Sequence, residues 1–255
     1  MTAWQLPPDA LLDPVPPAVA VDGNGAAAAE IAATLADLGL PVTVPRFEVG
    51  PVVTRYEVDP DPGTRVARIR MAAPDLAVAL AAPSVRISVV PGRHAVGIEV
   101  PNAHPAIVGL REATIGADSP PLTIPLGADV GGTIVTGNLA AMPHLLIAGA
   151  TGSGKSVMVN AILASLLRRA DPDVLRLLLF DMKRVELAAY HDIPHLLGPL
   201  VTEPPEAKAA LLWLVDEMER RYGQLTEAGA RNVEGYNAGP DRLPYIVAVV
   251  DELAD

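Results

Sequence analysis

No cysteine occurs in the 255 residues. Disulfides and thiolate metal sites are therefore excluded, and a reducing cytoplasm is compatible with the chain. Aromatic residues are scarce at 4%, so Ala, Val and Leu must fill whatever core forms. No apolar run approaches the ~18 residues that read as a bilayer span. Residues 1–17 lack the basic and apolar regions of a signal peptide. Positive charge is in deficit: the net charge is −11, and lysine occurs only at 155, 183 and 208. That balance argues against broad, nonspecific attraction to nucleic acid. What is present in quantity is apolar side chain, 50% of the sequence. The length allows one large domain or two of ordinary size.

The hydrophobic pattern changes character along the chain. Residues 1–24 are Pro-rich and read as an extended leader. A helix is expected over Ala26 to Leu38, with Ile31, Leu35 and Leu38 on one face and Gly39 and Pro41 ending it. The period then shifts to two. Val42 to Val49 and Val52 to Val58 read as strands around a Gly50-Pro51 turn, and Arg65 to Met71 as a third. A short helix is expected over Asp75 to Ala82. Val85 to Val89 and Ala95 to Val100 form another alternating pair, with one buried and one wet face. Residues 25–118 thus read as a compact α+β domain without an evident catalytic constellation.

The stretch Ala117-Asp118-Ser119-Pro120-Pro121 marks the expected boundary, with 119–255 as a second domain. There Leu122 to Leu126, Leu145 to Ala148, Val174 to Phe180 and Tyr245 to Val250 read as strands. Val157 to Leu167 and Glu206 to Thr226 read as helices. Leu211, Val215, Met218, Tyr222 and Leu225 form the expected buried stripe of the second helix. Strands alternating with helices predict an α/β domain with a parallel sheet.

Gly149-Ala150-Thr151-Gly152-Ser153-Gly154-Lys155-Ser156 fits the phosphate-loop pattern G-x-x-x-x-G-K-[ST]. The pattern has a mechanism. Glycines let backbone N–H groups turn inward around a triphosphate, the lysine reaches the β- and γ-phosphates, and the serine hydroxyl binds Mg²⁺. The helix that follows points its N-terminus at the phosphates. About 95 residues later an apolar strand ends in Asp251-Glu252, the second half expected of such an ATPase. Asp251 would hold the Mg²⁺ shell and Glu252 would polarise the water attacking the γ-phosphate. Asp181-Met182-Lys183 falls at the carboxyl end of another strand, the edge where open parallel sheets bind ligands. Lys183 reads either as a phosphate or neighbouring-subunit contact or as a surface-loop lysine. Arg68 and Arg70 share a strand face that could meet nucleic acid or simply be solvated. His144, His191 and His195 match no metal-ligand spacing and read as structural. Arg220-Arg221, after Glu217 and Glu219, reads as helix-face ion pairing.

These segments resemble the motor region of the FtsK/SpoIIIE family of bacterial double-stranded DNA translocases, from about Leu6 to Asp255. The resemblance extends well beyond the phosphate loop. Gly50-Pro51-Val52-Val53-Thr54-Arg55-Tyr56-Glu57, Leu80-Ala81-Ala82-Pro83-Ser84-Val85-Arg86-Ile87 and Gly97-Ile98-Glu99-Val100-Pro101-Asn102 look like that family's α domain. Met142-Pro143-His144-Leu145-Leu146-Ile147-Ala148-Gly149, Glu217-Met218-Glu219-Arg220-Arg221-Tyr222 and Arg231-Asn232-Val233-Glu234-Gly235-Tyr236-Asn237 look like its RecA-like β domain. The resemblance implies a RecA-like P-loop sheet preceded by the small α+β domain, with ATP and Mg²⁺ as cofactors. It implies a pump for duplex DNA, built as a hexameric ring and serving chromosome segregation at division or sporulation. Such a ring can be acidic outside and basic within. The motor would lie in the cytoplasm, full-length members being anchored to the inner membrane.

Three departures from the family pattern stand out. Met182 replaces a common proline, no membrane-spanning N-terminal region is present, and the sequence stops three residues after Glu252. The expectation is that a sensor strand, the later β-domain segments and the winged helix are missing. Unpaired strand edges and loss of ATP-driven translocation are expected to follow. Two alternative readings are a related motor pumping another polymer, as in protein secretion, and a non-hydrolysing nucleotide-binding module. The segments at 50–57 and 80–87 favour DNA.

Overall fold

The computed structural model describes residues 4–14, 23–90, 92–113, 115–116, 118–142, 144–150 and 152–252. Two units can be distinguished. One comprises residues 12–114 and 125–136, the other residues 1–11, 115–124 and 137–255.

The first unit begins with helix α1 (Asn24–Asp37) and strands β1 (Val42–Val49) and β2 (Val53–Pro60). Helices α2 (Val66–Met71) and α3 (Ala73–Ala79) follow, then β3 (Arg86–Val89) and β4 (Val96–Pro101). The four strands form one antiparallel sheet in the order β1-β2-β4-β3. Period-two alternation places Tyr56 opposite Ile98 and Val58 opposite Val96, and all four are buried. Ile31 and Leu35 of α1, Ile69 of α2 and Leu76 of α3 close the core over them. The Tyr56 hydroxyl finds its buried partner in Asn24 Oδ1, 3.1 Å away. The turn between β1 and β2 requires glycine, because a Cβ at Gly50 would lie 1.9 Å from the Val130 carbonyl oxygen.

One expected strand is a helix. Val66, Arg68 and Arg70 alternate with smaller apolar residues, but Ala, Arg and Met all favour helix. A single buried residue, Ile69, suffices to dock α2. Arg68 and Arg70 therefore do not share a face, since residues two apart on a helix diverge by about 200°.

Strands β5 (Thr123–Ala128) and β6 (Ile134–Asn138) pair with each other. The Asp129 carboxylate accepts the Thr133 N–H at 2.8 Å in the turn that joins them.

The second unit contains α4 (Lys155–Leu167), β7 (Leu175–Phe180), α5 (Pro204–Glu227), α6 (Val233–Asn237) and β8 (Tyr245–Val250). β7 and β8 pair in parallel, Leu175 opposite Tyr245 through Phe180 opposite Val250. The other edge of β7 is covered by residues 195–201, which run parallel to it through bridges at Leu196 and Val201. Gly198 and Pro199 interrupt that segment, so it makes isolated bridges rather than a strand. Its core holds Ile162, Leu163 and Leu166 of α4, Leu175, Leu177 and Leu179 of β7, and Leu187.

Two expectations fail in this unit. Leu145 to Ala148 is not a strand: none of the described residues 144–150 has strand pairing, and Leu146 is 79% exposed. An apolar run becomes a strand only where a ladder partner lies beside it. The stripe of α5 is also rotated from its expected face. Leu211, Val215, Met218 and Tyr222 are exposed and only Leu225 is buried. The residues that pack on Leu178, Phe180 and Val201 are Ala207, Ala210 and Leu214. The small side chains of Ala207 and Ala210 let the helix approach the sheet closely, and this outweighs the larger apolar stripe.

Candidate nucleotide site

Gly154 ends the phosphate loop with φ 96° and serves as the N-cap of α4, whose first two residues are Lys155 and Ser156. Gly152 is also left-handed, at φ 79°. These conformations are open to glycine and costly for residues with a Cβ. A Cβ on Gly149 would lie 2.2 Å from Ser153 Oγ, so that side chain occupies the space glycine leaves. The loop is tied by the Ser153 N–H donating to the Ala150 carbonyl at 3.0 Å. The Lys155 ammonium donates to the Gly149 carbonyl, also at 3.0 Å. Gly149, Ala150, Gly152, Ser153 and Gly154 are exposed, and Lys155 and Ser156 are half-buried. Thr151 lies outside the described residues.

Two side chains that the sequence did not single out brace the first turn of α4. Asn160 donates its amide to the Ser156 carbonyl at 2.9 Å, and the Tyr190 hydroxyl donates to Asn160 Oδ1 at 2.6 Å. Burial raises the Tyr190 pKa, which keeps that hydroxyl a donor. The i,i+4 spacing of Ser156 and Asn160 was a readable signal. Tyr190 arrives from a distant 3₁₀ turn, Ala188–Tyr190, and carried none.

At the carboxyl edge of β7 and β8 the structure gathers charge. The Asp251 N–H donates to the Phe180 carbonyl at 3.1 Å, which aligns Asp251 beside Asp181. Asp181 is fully buried. Its Oδ2 accepts the Leu187 N–H at 2.9 Å, while its Oδ1 has no hydrogen-bond partner among the described residues. The Asp251 pKa is raised, first by burial and then by the charges of Asp181, Glu186 and Glu252; Lys183 opposes the shift. Lys155 is not among the charges that act on Asp251. A half-buried carboxylate under acidic pressure matches the hard oxygen donors a divalent cation selects. Lys183 lies half exposed on the loop after β7, with its Nζ 3.4 Å from Glu252 Oε2.

The histidines are structural where they are described in detail. His195 is buried with Nε2 2.9 Å from the Ala170 carbonyl, and His191 packs its ring nitrogens against the Ala188 carbonyl and Asp192. Among the described residues no cluster of His, Asp or Glu is arranged to hold a metal by itself. Arg220 and Arg221 both pair with Glu217, at 2.7 Å each.

A glycine-built loop capping a helix, in one unit with a parallel pair that ends in Asp-Glu, defines a P-loop protein of mixed α/β fold. The chain belongs to the FtsK/SpoIIIE family. That family's model matches residues 109–246, and the model of the FtsK alpha domain matches residues 6–102. The chain is 50% identical over 238 residues to a DNA translocase FtsK of Streptococcus pneumoniae, covering 88% of this chain and 31% of that protein. It is 49% identical over 237 residues to a DNA translocase FtsK of Oceanobacillus iheyensis, covering 87% of this chain and 30% of that protein. The chain thus spans less than a third of the length of these relatives. A solved structure of the pCW3 conjugation coupling protein TcpA, in monomer form with ATPγS, aligns with TM-score 0.49 at 24% identity, covering 90% of this chain and 65% of that one. No helix among the described residues is long and apolar enough to cross a membrane.

Proposed function

We propose that the chain is the α domain and the nucleotide-binding part of an ATP-driven motor for double-stranded DNA. The observation that carries this reading is the open, glycine-built phosphate loop at the N-terminus of α4, in a chain half identical to DNA translocases. Gly149, Ala150, Thr151, Gly152, Ser153 and Gly154 cradle the triphosphate with backbone N–H groups. Lys155 exchanges its present bond to the Gly149 carbonyl for the β- and γ-phosphate oxygens. Mg²⁺, when bound with ATP, supplies charge neutralisation on those oxygens, and Ser156 and Asp251 are the residues that hold it. Glu252 orients and polarises the attacking water. Two domains are read, 25–118 and 119–255, after a leader of residues 1–24. The assembled protein works as a hexameric ring on the cytoplasmic side of the membrane and moves chromosomal DNA during division or sporulation. DNA would be gripped chiefly through phosphates, so binding weakens with salt and is nearly indifferent to sequence.

Titration with a fluorescent ATP analogue, mant-ATP, tests the site. Lys155→Ala is expected to weaken binding by at least about tenfold, since a charge-assisted contact to phosphate is worth roughly 1.5–3 kcal/mol. Unchanged affinity would sink the assignment of residues 149–156. DNA-stimulated ATP hydrolysis, absent with an equal mass of polyglutamate, tests the choice of polymer.

A further inference from the structure

Lys183 sits on a loop whose backbone is tied at both ends. The Asp181 carboxylate reaches across it to the Leu187 N–H at 2.9 Å, and the Arg184 N–H donates to the Asp181 carbonyl at 3.2 Å. Leu187 is fully buried and anchors the far end. Arg184 adopts φ 56°, a left-handed conformation that a residue with a Cβ keeps only where its surroundings over-determine it. Its guanidinium pairs with Glu203 at the start of α5. Lys183 therefore projects from a fixed base.

Among the described residues Glu252 has no such support. It lies beyond the last paired residue of β8, Val250, and its side chain has three rotatable bonds. Among the described residues, the contact its carboxylate makes is to Lys183 Nζ at 3.4 Å. Its chain neighbour Asp251 is acidic and repels that carboxylate, the Glu252 charge being among those that raise the Asp251 pKa. The pair itself adds little stability, because Lys183 and Glu252 are 53% and 40% exposed and such pairs are worth about 0–1 kcal/mol. Its consequence is directional.

We propose that Lys183 is a positioning residue, which holds the Glu252 carboxylate at the sheet edge in the orientation from which it polarises the attacking water. The inference rests on the reading of Glu252 given under the proposed function. A zero-length carbodiimide cross-link tests the geometry on the whole chain, where lysine occurs only at 155, 183 and 208. Peptide mapping is expected to find a Lys183–Glu252 isopeptide that Glu252→Gln abolishes; its absence overturns the proposal. Steady-state ATP hydrolysis with duplex DNA tests the role. Lys183→Ala is expected to lower kcat by about ten- to a hundredfold and to leave KM for ATP within about twofold. Lys183→Arg should restore most of the rate, and Lys183→Ala with Glu252→Gln should be no slower than Glu252→Gln alone. An unchanged kcat in Lys183→Ala, with Glu252→Gln inactive, overturns this inference and leaves the nucleotide site standing. A wild-type chain that binds mant-ATP without hydrolysing ATP removes the hydrolytic role of Glu252 and this inference with it. A chain that binds no nucleotide fails the underlying reading itself.

Discussion

The two units solve the problem of a hydrophobic sequence differently. In the first, every strand of the four-stranded sheet is paired, and three helices seal one face over Tyr56, Val58, Val96 and Ile98. In the second, a two-stranded parallel pair is followed by the acidic residues Asp181, Asp251 and Glu252, and large apolar side chains stay at the surface on α5 and before the phosphate loop. Antiparallel hairpins close locally and complete themselves. Parallel strands depend on partners delivered from far along the sequence.

The sharpest way to break this contrast is a matched pair of truncations. Leu35→Ala, in the closed core, is expected to cost about 2–5 kcal/mol, whereas Leu211→Ala, half exposed on α5, should fall within about 0.5 kcal/mol of wild type. Urea denaturation measures both; equal losses would mean that α5 is as buried as α1. A smaller effect is expected at Arg169. Its guanidinium donates to the carbonyls of Ile115, Gly116, Ser119 and Pro120 at 2.9–3.4 Å. Burial and then the neighbouring Arg168 charge lower its pKa. Arg169→Ala strands these carbonyls and should cost about 1–3 kcal/mol, with faster amide exchange at Gly116 and Ser119.

Smaller still, and dependent on pH, is the contribution of Glu217. A hydrogen bond from Arg220 foremost, helped by Arg221 and opposed by burial, pulls its pKa from 4.5 to about 2. A carboxylate depressed on folding stabilises the native state above its unfolded pKa, and that stability disappears as pH falls through the folded value. The stability gap between wild type and Glu217→Gln should therefore be full at pH 7, shrink from about pH 4.5, and close near pH 2. A gap that persists unchanged at pH 2 would assign the loss to packing instead. The least effect is expected from Val215→Ser with Tyr222→Ser, which should raise solubility without moving the thermal midpoint, because both side chains are exposed.

Where burial and period agreed, the elements were legible in advance. β1 and β8 fall on the residues their alternation and apolar run indicated, and the antiparallel pair β3–β4 keeps Ile87 opposite Ile98. The errors share a cause: each depended on what lies alongside. α2 reads as a strand until Ile69 is seen to be its only buried residue. β6 begins just after Gly131-Gly132, a turn signal hidden inside an unassigned stretch. The face of α5 was set by Ala207, Ala210 and Leu214 rather than by its largest residues. At the site, the glycine and lysine positions were written in a contiguous motif. The meeting of Lys183 with Glu252 joins residues 69 apart and could not be read from spacing.

The fittings of α4 have a mechanical consequence. The helix is a rod of 13 residues, about 20 Å at 1.5 Å per residue. Its far end is bolted down: Arg168 pairs with Asp9, and Arg169 fans onto four carbonyls. Its near end is guyed by Asn160 and Tyr190. A rod clamped at one end and stayed at the other does not swivel. Any displacement of the phosphate loop must either bend the loop itself or travel the length of the helix to the carbonyls of Ile115, Gly116, Ser119 and Pro120.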